Sequence, residues 1–256
     1  MTAPRIELAA VTKAYGAAHA VADLSLSIPA GAFVALVGGS GSGKTTCLKM
    51  INGLVTPDGG EARIDGAAVG AGPGHLLRRR IGYVFQEVGL FPHLSVAENI
   101  AITLKLEGRP PAERAARAAE LLALVGLPAD FAGRRPQALS GGQRQRVGVA
   151  RALAAGPQIM LMDEPFGALD PVTRDALGGE YRRLHERLGL TTVMVTHDMT
   201  EAVLLADRIV VMAAGRLRAE GSAADLARSD DPDVRALIDT PRRQAERVRQ
   251  RLGAAE

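Results

Sequence analysis

The chain has 256 residues, 47% of them hydrophobic, which is enough for one or two domains with a sizeable core. Its net charge of +3 is small, and 3% aromatic residues without tryptophan argue against a surface that stacks nucleic-acid bases. A single cysteine, Cys47, excludes an intramolecular disulfide framework. The N-terminal residues lack the apolar core of a secretory signal, and no run approaches the eighteen apolar residues of a membrane-spanning helix.

The first part of the chain predicts an antiparallel sheet. Apolar and polar side chains alternate in residues 6–8 and again in 24–28, and this period of two is typical of half-buried strands. Tyr15 lies between these strands and allows two interpretations. It is either a half-exposed loop side chain or an aromatic ring on which a nucleobase stacks.

A glycine-rich loop organises the rest of the chain. Residues 38–46, GGSGSGKTT, fit the pattern G-x-x-x-x-G-K-[ST] and follow an apolar run at 32–37 that predicts a buried strand. A helical pattern comes next, with its apolar positions at Leu48, Met50, Ile51 and Leu54. Glycines let backbone N–H groups approach an anion closely, and a helix N-terminus adds unpaired donors. A flexible linker that happens to hold a lysine would not need this strand and helix.

The loop therefore predicts a binding site for the phosphates of a nucleotide. Lys44 would reach the β- and γ-phosphates as a point charge, and the Thr45 hydroxyl would ligate Mg²⁺. The loop residues expected to contact the nucleotide are Gly38, Gly39, Ser40, Gly41, Ser42, Gly43, Lys44, Thr45 and Thr46.

The middle of the chain predicts a change from strands to helices. Residues 66–75 are rich in glycine, alanine and proline and indicate a loop. Residues 81–85 indicate a strand that ends at Gln86, which is either a turn residue or a carbonyl ligand for a cation. Residues 88–156 look like a separate helical unit.

The sequence LSGGQ at 139–143 opens the last helix of that unit. Ser140 with Gln143 three residues later is a capping box, which is one sufficient local explanation. However, Gly141 and Gly142 weaken a first helical turn. Glycines at these positions are explained if the backbone N–H groups there approach an anion closely. These residues favour the anion site.

Acidic and histidine side chains follow two further predicted strands. Asp163 and Glu164 come after an apolar strand at 158–162. They are either an acidic turn or, beside a phosphate loop, a Mg²⁺ ligand and a base that polarises water. His197 follows a β-branched strand at 191–196. A lone histidine is usually structural, but the carboxyl end of a parallel strand faces the ligand crevice.

The last part of the chain, residues 229–256, is polar. Residues 241–252 carry five arginines and only a thin apolar stripe of Ala245, Val248 and Leu252. The favoured interpretation is a solvated, partly frayed helix. Contact with a membrane surface or a partner is the alternative.

Taken together, these motifs resemble the ATPase subunit of ABC transporters over roughly residues 5–228. The resemblance rests on their order along the chain: the phosphate loop, Gln86, LSGGQ, Asp163 with Glu164, the Ala-Leu-Asp loop that ends at Asp170, and His197. It implies an α/β P-loop NTPase fold with a mixed-sheet core, an antiparallel β subdomain and an inserted helical subdomain. The implied division is a nucleotide-binding core at 1–87 and 157–228, a helical signature subdomain at 88–156, and a basic tail at 229–256.

The resemblance also implies a mechanism in which two subunits face each other head to tail. ATP on one phosphate loop is then completed by the signature of the other subunit, which consists of Ser140, Gly141, Gly142 and Gln143. Among the catalytic residues, Glu164 resembles the general base, His197 the γ-phosphate sensor and Lys44 the phosphate-binding lysine. Tyr15 resembles the residue that stacks on adenine. Mg²⁺ would be held by Thr45, Gln86 and Asp163.

The implied cofactors are ATP and Mg²⁺. The implied partners are a second copy of the ATPase or a homologous one, transmembrane permease subunits that dock at residues 89–93, and a periplasmic or lipid-anchored substrate-binding protein. No nucleic acid is expected. The expected location is the cytoplasmic face of the inner or plasma membrane, as a peripheral subunit.

Longer sequence segments narrow the resemblance to one subfamily of importers. Residues 49–52, 79–86, 89–93 and 165–174 look like those of importers of glycine betaine, choline, carnitine and related osmoprotectants. Parts of the pattern also occur in polyamine, nitrate and sulfonate importers. Many osmoprotectant ATPases carry C-terminal tandem CBS repeats, whereas this sequence extends only to residue 256, so the resemblance does not carry ionic-strength sensing over to this subunit.

Two other classes of function fit less well. A soluble ABC ATPase of DNA repair or translation would need long coiled-coil insertions or a second cassette. A nucleotide-binding scaffold that does not hydrolyse ATP would lack Glu164 or Lys44, and both are present. The prediction is therefore an ATPase that energises import.

Overall fold

The fold is α/β, as shown by a computed structural model that describes residues 5–251 and 253. The strands are β1 (Ile6–Tyr15), β2 (Ala18–Ile28), β3 (Phe33–Val37), β4 (Gly59–Ile64), β5 (Ala67–Ala68), β6 (Ile81–Val84), β7 (Ile159–Asp163), β8 (Thr191–Thr196), β9 (Arg208–Ala213) and β10 (Arg216–Gly221). The helices are α1 (Lys44–Ile51), α2 (Gly74–Arg79), α3 (Val96–Ile100), α4 (Ile102–Leu106), α5 (Pro111–Leu124), α6 (Gly141–Leu153), α7 (Pro171–Leu188), α8 (Met199–Leu205), α9 (Ala223–Leu226) and α10 (Pro232–Arg251). Two short 3₁₀ helices lie at Ala129–Gly133 and Pro136–Ala138.

The strands form two sheets. The smaller sheet is antiparallel, with four strands in the order β2-β1-β4-β5. The larger sheet has six strands in the order β10-β9-β3-β8-β7-β6. Its neighbours are parallel except for the antiparallel pair of β10 and β9. This combination is the predicted mixed sheet with a separate antiparallel sheet.

Strand β3 lies in the middle of the larger sheet and is buried on both faces. Phe33, Ala35 and Val37 belong to an apolar cluster that continues into α3, α5, α6 and α7. Val34 and Leu36 belong to a second cluster, which contains α1 and the inner face of the smaller sheet. A continuous apolar run is what a parallel strand covered on both faces requires.

The register of the larger sheet places several strand ends at one edge. Val37 of β3 pairs with Thr196 of β8, and Asp163 of β7 pairs with Val195 of β8. The loops that leave β3, β7 and β8 therefore start side by side. Ligands of open α/β sheets bind outside the carboxyl ends of the strands, so a binding site is expected at this edge of the sheet.

Two segments differ from the sequence-based predictions. Residues 66–75, predicted as a loop, contain β5 and the first residues of α2. Helix α1 ends at Ile51, so the predicted helical position Leu54 lies outside it and is 52% exposed. The helix stops there because Gly53 takes a left-handed conformation, with φ 67°, that continues no α-helix.

The described chain between β6 and β7 contains helices and no strand. Farther along, α10 begins at Pro232, because Asp231 accepts the backbone N–H of Asp233 at 2.9 Å and starts the helix. Val234 is buried and Val248 is 57% exposed, so most of α10 is solvated, as predicted. Leu252 of the predicted stripe lies outside the described residues. Across residues 5–251 and 253, every helix is too short or too polar to cross a membrane.

Candidate active site

The predicted phosphate loop connects β3 to the N-terminus of α1, as its motif requires. Two of its glycines are needed for close packing. A Cβ on Gly38, at φ 150°, would lie 2.1 Å from the carbonyl oxygen of Met212. A Cβ on Gly43, at φ 98°, would lie 2.2 Å from the carbonyl oxygen of Ala20. The loop is thus fixed between β9 and β2 at positions where only glycine fits.

Lys44 brings a positive charge into this loop. Its Nζ donates hydrogen bonds to the carbonyl oxygens of Gly38 and Gly39, both at 2.8 Å, and to Oγ of Ser42 at 3.1 Å. The side chain is buried. Burial lowers the pKa of Lys44, although the nearby carboxylates of Glu164 and Asp163 act in the opposite direction.

Thr45 and Asp163 form the second part of the site. Oγ1 of Thr45 donates a hydrogen bond to Oδ1 of Asp163 at 2.9 Å, which joins the start of α1 to the end of β7. Asp163 is buried, and burial raises the pKa of its carboxyl group. The hydroxyl and the carboxylate are oxygen donors of the kind that Mg²⁺ takes.

The donor set fits Mg²⁺ bound together with a nucleotide. No cluster of three or more His, Cys, Asp or Glu side chains occurs among the described residues, so a cage made only of such side chains is absent there. Mg²⁺ is usually held by one or two carboxylates together with substrate phosphates and waters. Thr45, Asp163 and the amide of Gln86 match that requirement.

Three strand ends meet at the carboxylate of Glu164. Its Oε2 accepts a hydrogen bond from Nε2 of Gln86 at 3.2 Å and lies 3.2 Å from Nδ1 of His197. The backbone N–H of Glu164 donates to the carbonyl oxygen of Val195 at 2.9 Å, which fixes it against β8. Glu164 has φ 45°, an uncommon conformation for a residue other than glycine. The structure therefore brings together the predicted residues Gln86, Glu164 and His197.

Tyr15 is an exposed ring at the end of β1. Its relative exposure is 55%, and Nζ of Lys13 lies 5.8 Å from the ring centroid. The neighbouring strand β2 packs against the phosphate loop through Ala20 and Gly43. A flat, accessible aromatic face is what stacking on a base requires.

The signature segment is built as a helix start. The backbone N–H of Gln143 donates to Oγ of Ser140 at 3.3 Å, and that of Ser140 donates to Oε1 of Gln143 at 2.9 Å. This reciprocal cap begins α6 at Gly141. A Cβ on Gly142 would lie 2.7 Å from Cγ2 of Thr173, so this glycine also serves packing against α7.

The structure does not bring the signature to the phosphate loop. Within the described residues, no hydrogen bond joins residues 140–143 to residues 38–46 or to Glu164. Ser140 and Gly141 are exposed.

Comparison with known proteins identifies the family. Residues 21–167 match the family described as ABC transporter. This chain belongs to that family. This chain is 54% identical to the glycine betaine uptake system ATP-binding protein YehX of Escherichia coli K12, over 85% of this chain and 70% of that protein.

Two relatives from Bacillus subtilis 168 are similar in sequence but longer. The choline transport ATP-binding protein OpuBA is 49% identical to this chain over 86% of its residues. The glycine betaine/carnitine/choline transport ATP-binding protein OpuCA is 48% identical over 88% of this chain. The matches span 58% and 59% of these two proteins.

A solved structure shows the same fold. The ATP-binding cassette MJ0796, solved as a dimer in a post-hydrolysis state with ADP and Pi, is 38% identical to this chain. Its TM-score is 0.77, and the match covers 85% of this chain and 98% of that one. These findings confirm the predicted family and the predicted ABC ATPase fold. They also confirm the predictions that the chain is an ATPase and binds ATP.

Sequence reasoning included Arg174 only in the subfamily match at 165–174 and did not place it beside the loops of Glu164 and His197. Its guanidinium bonds to the loop after Glu164 and to Asp198, the residue after His197. One signal was available, because Arg174 follows the predicted loop residue Asp170 by one helical turn and therefore lies on the same side of α7.

Proposed function

We propose that this chain hydrolyses ATP to energise an importer of quaternary-amine osmoprotectants such as glycine betaine, choline or carnitine. The observation that carries the proposal is the meeting of Gln86 and His197 at the carboxylate of Glu164, beside the loop that holds Lys44. The substrate class is supported by the names of the relatives that share about half of the chain's residues.

The residues have separate roles in this proposal. Lys44 and the loop N–H groups bind and orient the phosphates, and Thr45, Asp163 and Gln86 hold Mg²⁺, which supplies charge stabilisation when bound. Glu164 takes a proton from the attacking water as general base. His197 contacts the γ-phosphate and, through Nδ1, keeps the Glu164 carboxylate in place.

We propose that the active form is a head-to-tail dimer. The exposed signature of one copy, Ser140 to Gln143, would complete the nucleotide site on the phosphate loop of the other copy. The N–H groups of Gly141 and Gly142, for which the described residues provide no hydrogen-bond acceptor, are suited to bind γ-phosphate. The dimeric state of the similar cassette MJ0796 supports this arrangement.

A groove at the surface supports the predicted docking of a permease. It has a volume of about 740 Å³, and Phe85 and Phe91 line it with 46% and 43% exposure. Gln86 and Asp163 also line this groove, so a helix docked there would lie beside residues of the proposed metal site.

The remaining partners follow from this function. We propose a peripheral position at the cytoplasmic face of the inner or plasma membrane and a separate substrate-binding protein, periplasmic or lipid-anchored, that delivers the osmolyte. The division into a core, a helical unit and a tail is part of the same proposal. It is supported by the described residues between β6 and β7, which form helices and no strand.

Replacing Tyr15 tests adenine stacking. Tyr15→Phe keeps the aromatic face and is expected to keep ATP affinity. Tyr15→Ala removes it and is expected to lose about 1–3 kcal/mol of binding free energy, by analogy with base stacking on aromatic side chains. Titration of both variants with ATP measures the effect, and equal affinities for the unchanged chain and Tyr15→Ala would reject the role.

Transport assays test the substrate class. A strain that lacks this protein, with other uptake routes removed, is expected to lose ATP-dependent uptake of glycine betaine, choline or carnitine, because the permease has no other source of energy. Reintroducing the gene restores uptake in the control. The cassette is also 49% identical to a sulfate/thiosulfate import ATP-binding protein of Gloeobacter violaceus. Unchanged osmolyte uptake together with lost sulfate, polyamine or nitrate uptake would contradict the assignment.

A further inference from the structure

Arg174 connects the two loops that carry Glu164 and His197. It lies in the first turn of α7 and its side chain is partly buried, with 28% exposure. Its Nη2 donates a hydrogen bond to the carbonyl oxygen of Leu169 at 3.1 Å, and its Nη1 donates one to Oδ2 of Asp198 at 3.0 Å. One guanidinium therefore holds a backbone carbonyl of the first loop and a carboxylate of the second.

Asp198 is next to His197 in the chain, so the contact of Asp198 with Arg174 affects the position of His197. Its Oδ1 accepts the backbone N–H of Thr200 at 2.8 Å and so caps α8. Its own N–H donates to Oγ1 of Thr196 at 3.0 Å. Because both neighbours of His197 are held in this way, the backbone position of the histidine depends on where Asp198 lies.

A second carboxylate completes the cluster. Glu201 is 8% exposed, accepts a hydrogen bond from Oγ1 of Thr196 at 2.6 Å, and faces Nε of Arg174 at 3.6 Å. Removing the guanidinium would leave Asp198 and Glu201 as like charges without compensation. The planar fork of arginine reaches several acceptors at fixed angles, which the point charge of lysine cannot do.

We propose that Arg174 is a positioning residue for ATP hydrolysis, which fixes His197 relative to Glu164 by joining Asp198 to the carbonyl of Leu169. This inference rests on the proposed function, in which Glu164 and His197 act at the γ-phosphate. Within the described residues, none of the hydrogen bonds of Arg174 reaches the phosphate loop. Its loss should therefore slow hydrolysis without weakening the binding of ATP.

The test measures steady-state ATP hydrolysis and ATP affinity for variants of the full chain. Arg174→Met is expected to lower kcat about tenfold or more, because displacements of about 1 Å can cost up to about 100-fold. The ATP dissociation constant is expected to stay within about twofold, since binding and chemistry are separate steps. Arg174→Lys keeps the charge and is expected to recover part of kcat.

Asp198→Asn tests the route through which Arg174 acts. Asparagine is also a good N-cap, so α8 keeps its cap while the ion pair with Arg174 is lost. This variant is expected to lower kcat, and Arg174→Met together with Asp198→Asn is expected to be less damaging than the product of the two single losses. Arg183→Met is the matched control, because Arg183 lies on the same helix, is exposed and forms no ion pair within the described residues. Its kcat is expected to be unchanged.

Several results would overturn the proposal: normal kcat in Arg174→Met, independent losses that multiply in the double variant, or a loss of ATP affinity and thermal stability that accounts for the loss of turnover. If Arg174→Met does not fold, Arg174→Lys and Asp198→Asn decide the question by the same criteria. Glu164→Gln separates this proposal from the proposed function. Normal turnover in Glu164→Gln contradicts the assigned base, whereas lost turnover there with normal turnover in Arg174→Met contradicts only the positioning role.

Discussion

Glu164→Gln is expected to bind ATP at least as tightly as the unchanged chain and to hydrolyse it about 10²–10⁴-fold more slowly, the usual contribution of a positioned general base. Glutamine keeps the size of the side chain and can still pair with Gln86 and His197, which meet Oε2 of Glu164 at 3.2 Å each. It removes the basic carboxylate. It also removes one negative charge from a site that binds a polyanion, so ATP affinity does not fall.

The unhydrolysed nucleotide is expected to trap a dimer. Each ATP would join the phosphate loop of one copy to Ser140 and Gly141 of the other, so two nucleotides hold two chains together until they are cleaved. Size-exclusion chromatography of Glu164→Gln with ATP measures the dimer, and phosphate release measures turnover. The same variant without ATP, which is expected to run as a monomer, is the control.

A second substitution tests whether the signature forms the interface. Ser140 is exposed at the start of α6, so an arginine there can be accommodated in the isolated chain. Added to Glu164→Gln, Ser140→Arg places bulk against the facing phosphate and is expected to abolish the trapped dimer. A dimer that survives Ser140→Arg would refute the head-to-tail site, and near-normal phosphate release in Glu164→Gln would move the base to another residue.

Gly43→Ala is expected to cost on the order of 2 kcal/mol or more of folding stability and to abolish tight ATP binding. The added Cβ would lie 2.2 Å from the carbonyl oxygen of Ala20, at φ 98°. Backbone strain of this kind costs about 1–3 kcal/mol, and overpacking adds about 1–3 kcal/mol. Relief requires the loop to move away from β2, which displaces the N-terminus of α1 and Lys44 with it.

Thermal unfolding and ATP titration measure both effects. For a domain of this size, each kcal/mol lowers the unfolding midpoint by about 2–4 °C. Gly39→Ala is the matched control for stability, because no atom lies within 4 Å of a Cβ at Gly39 and its backbone is not left-handed. Equal midpoints for the Gly43→Ala and Gly39→Ala variants would show that the loop has room to adapt.

The sequence by itself determined the parts of the site that are local. Residues 38–43 form the loop after β3 and residues 44–46 open α1, so their glycines, lysine and threonines act through contiguous backbone. The reciprocal cap of Ser140 and Gln143 likewise spans four residues and was found in the structure as predicted. Local patterns of this kind succeed because the interacting groups are fixed relative to each other by helix and turn geometry alone.

Element boundaries were less well determined by the sequence. Residues 66–75 have the composition of a loop, yet they include β5, which forms only because β4 is present to pair with it. Leu54 continues the apolar pattern of α1, but the left-handed turn at Gly53 ends the helix before it. In the first case a strand outside the segment decided the outcome, and in the second a single glycine within the pattern did.

The tertiary structure alone decided how the separated residues meet. Gln86 and Glu164 are 78 positions apart, and Glu164 and His197 are 33 apart, so their contacts depend on the order and register of β6, β7 and β8 in one sheet. The bridge from Arg174 to Leu169 and Asp198 depends on the packing of α7 against α8. Long-range contacts follow from burial of the whole core. A local motif does not determine which strands are neighbours in the sheet.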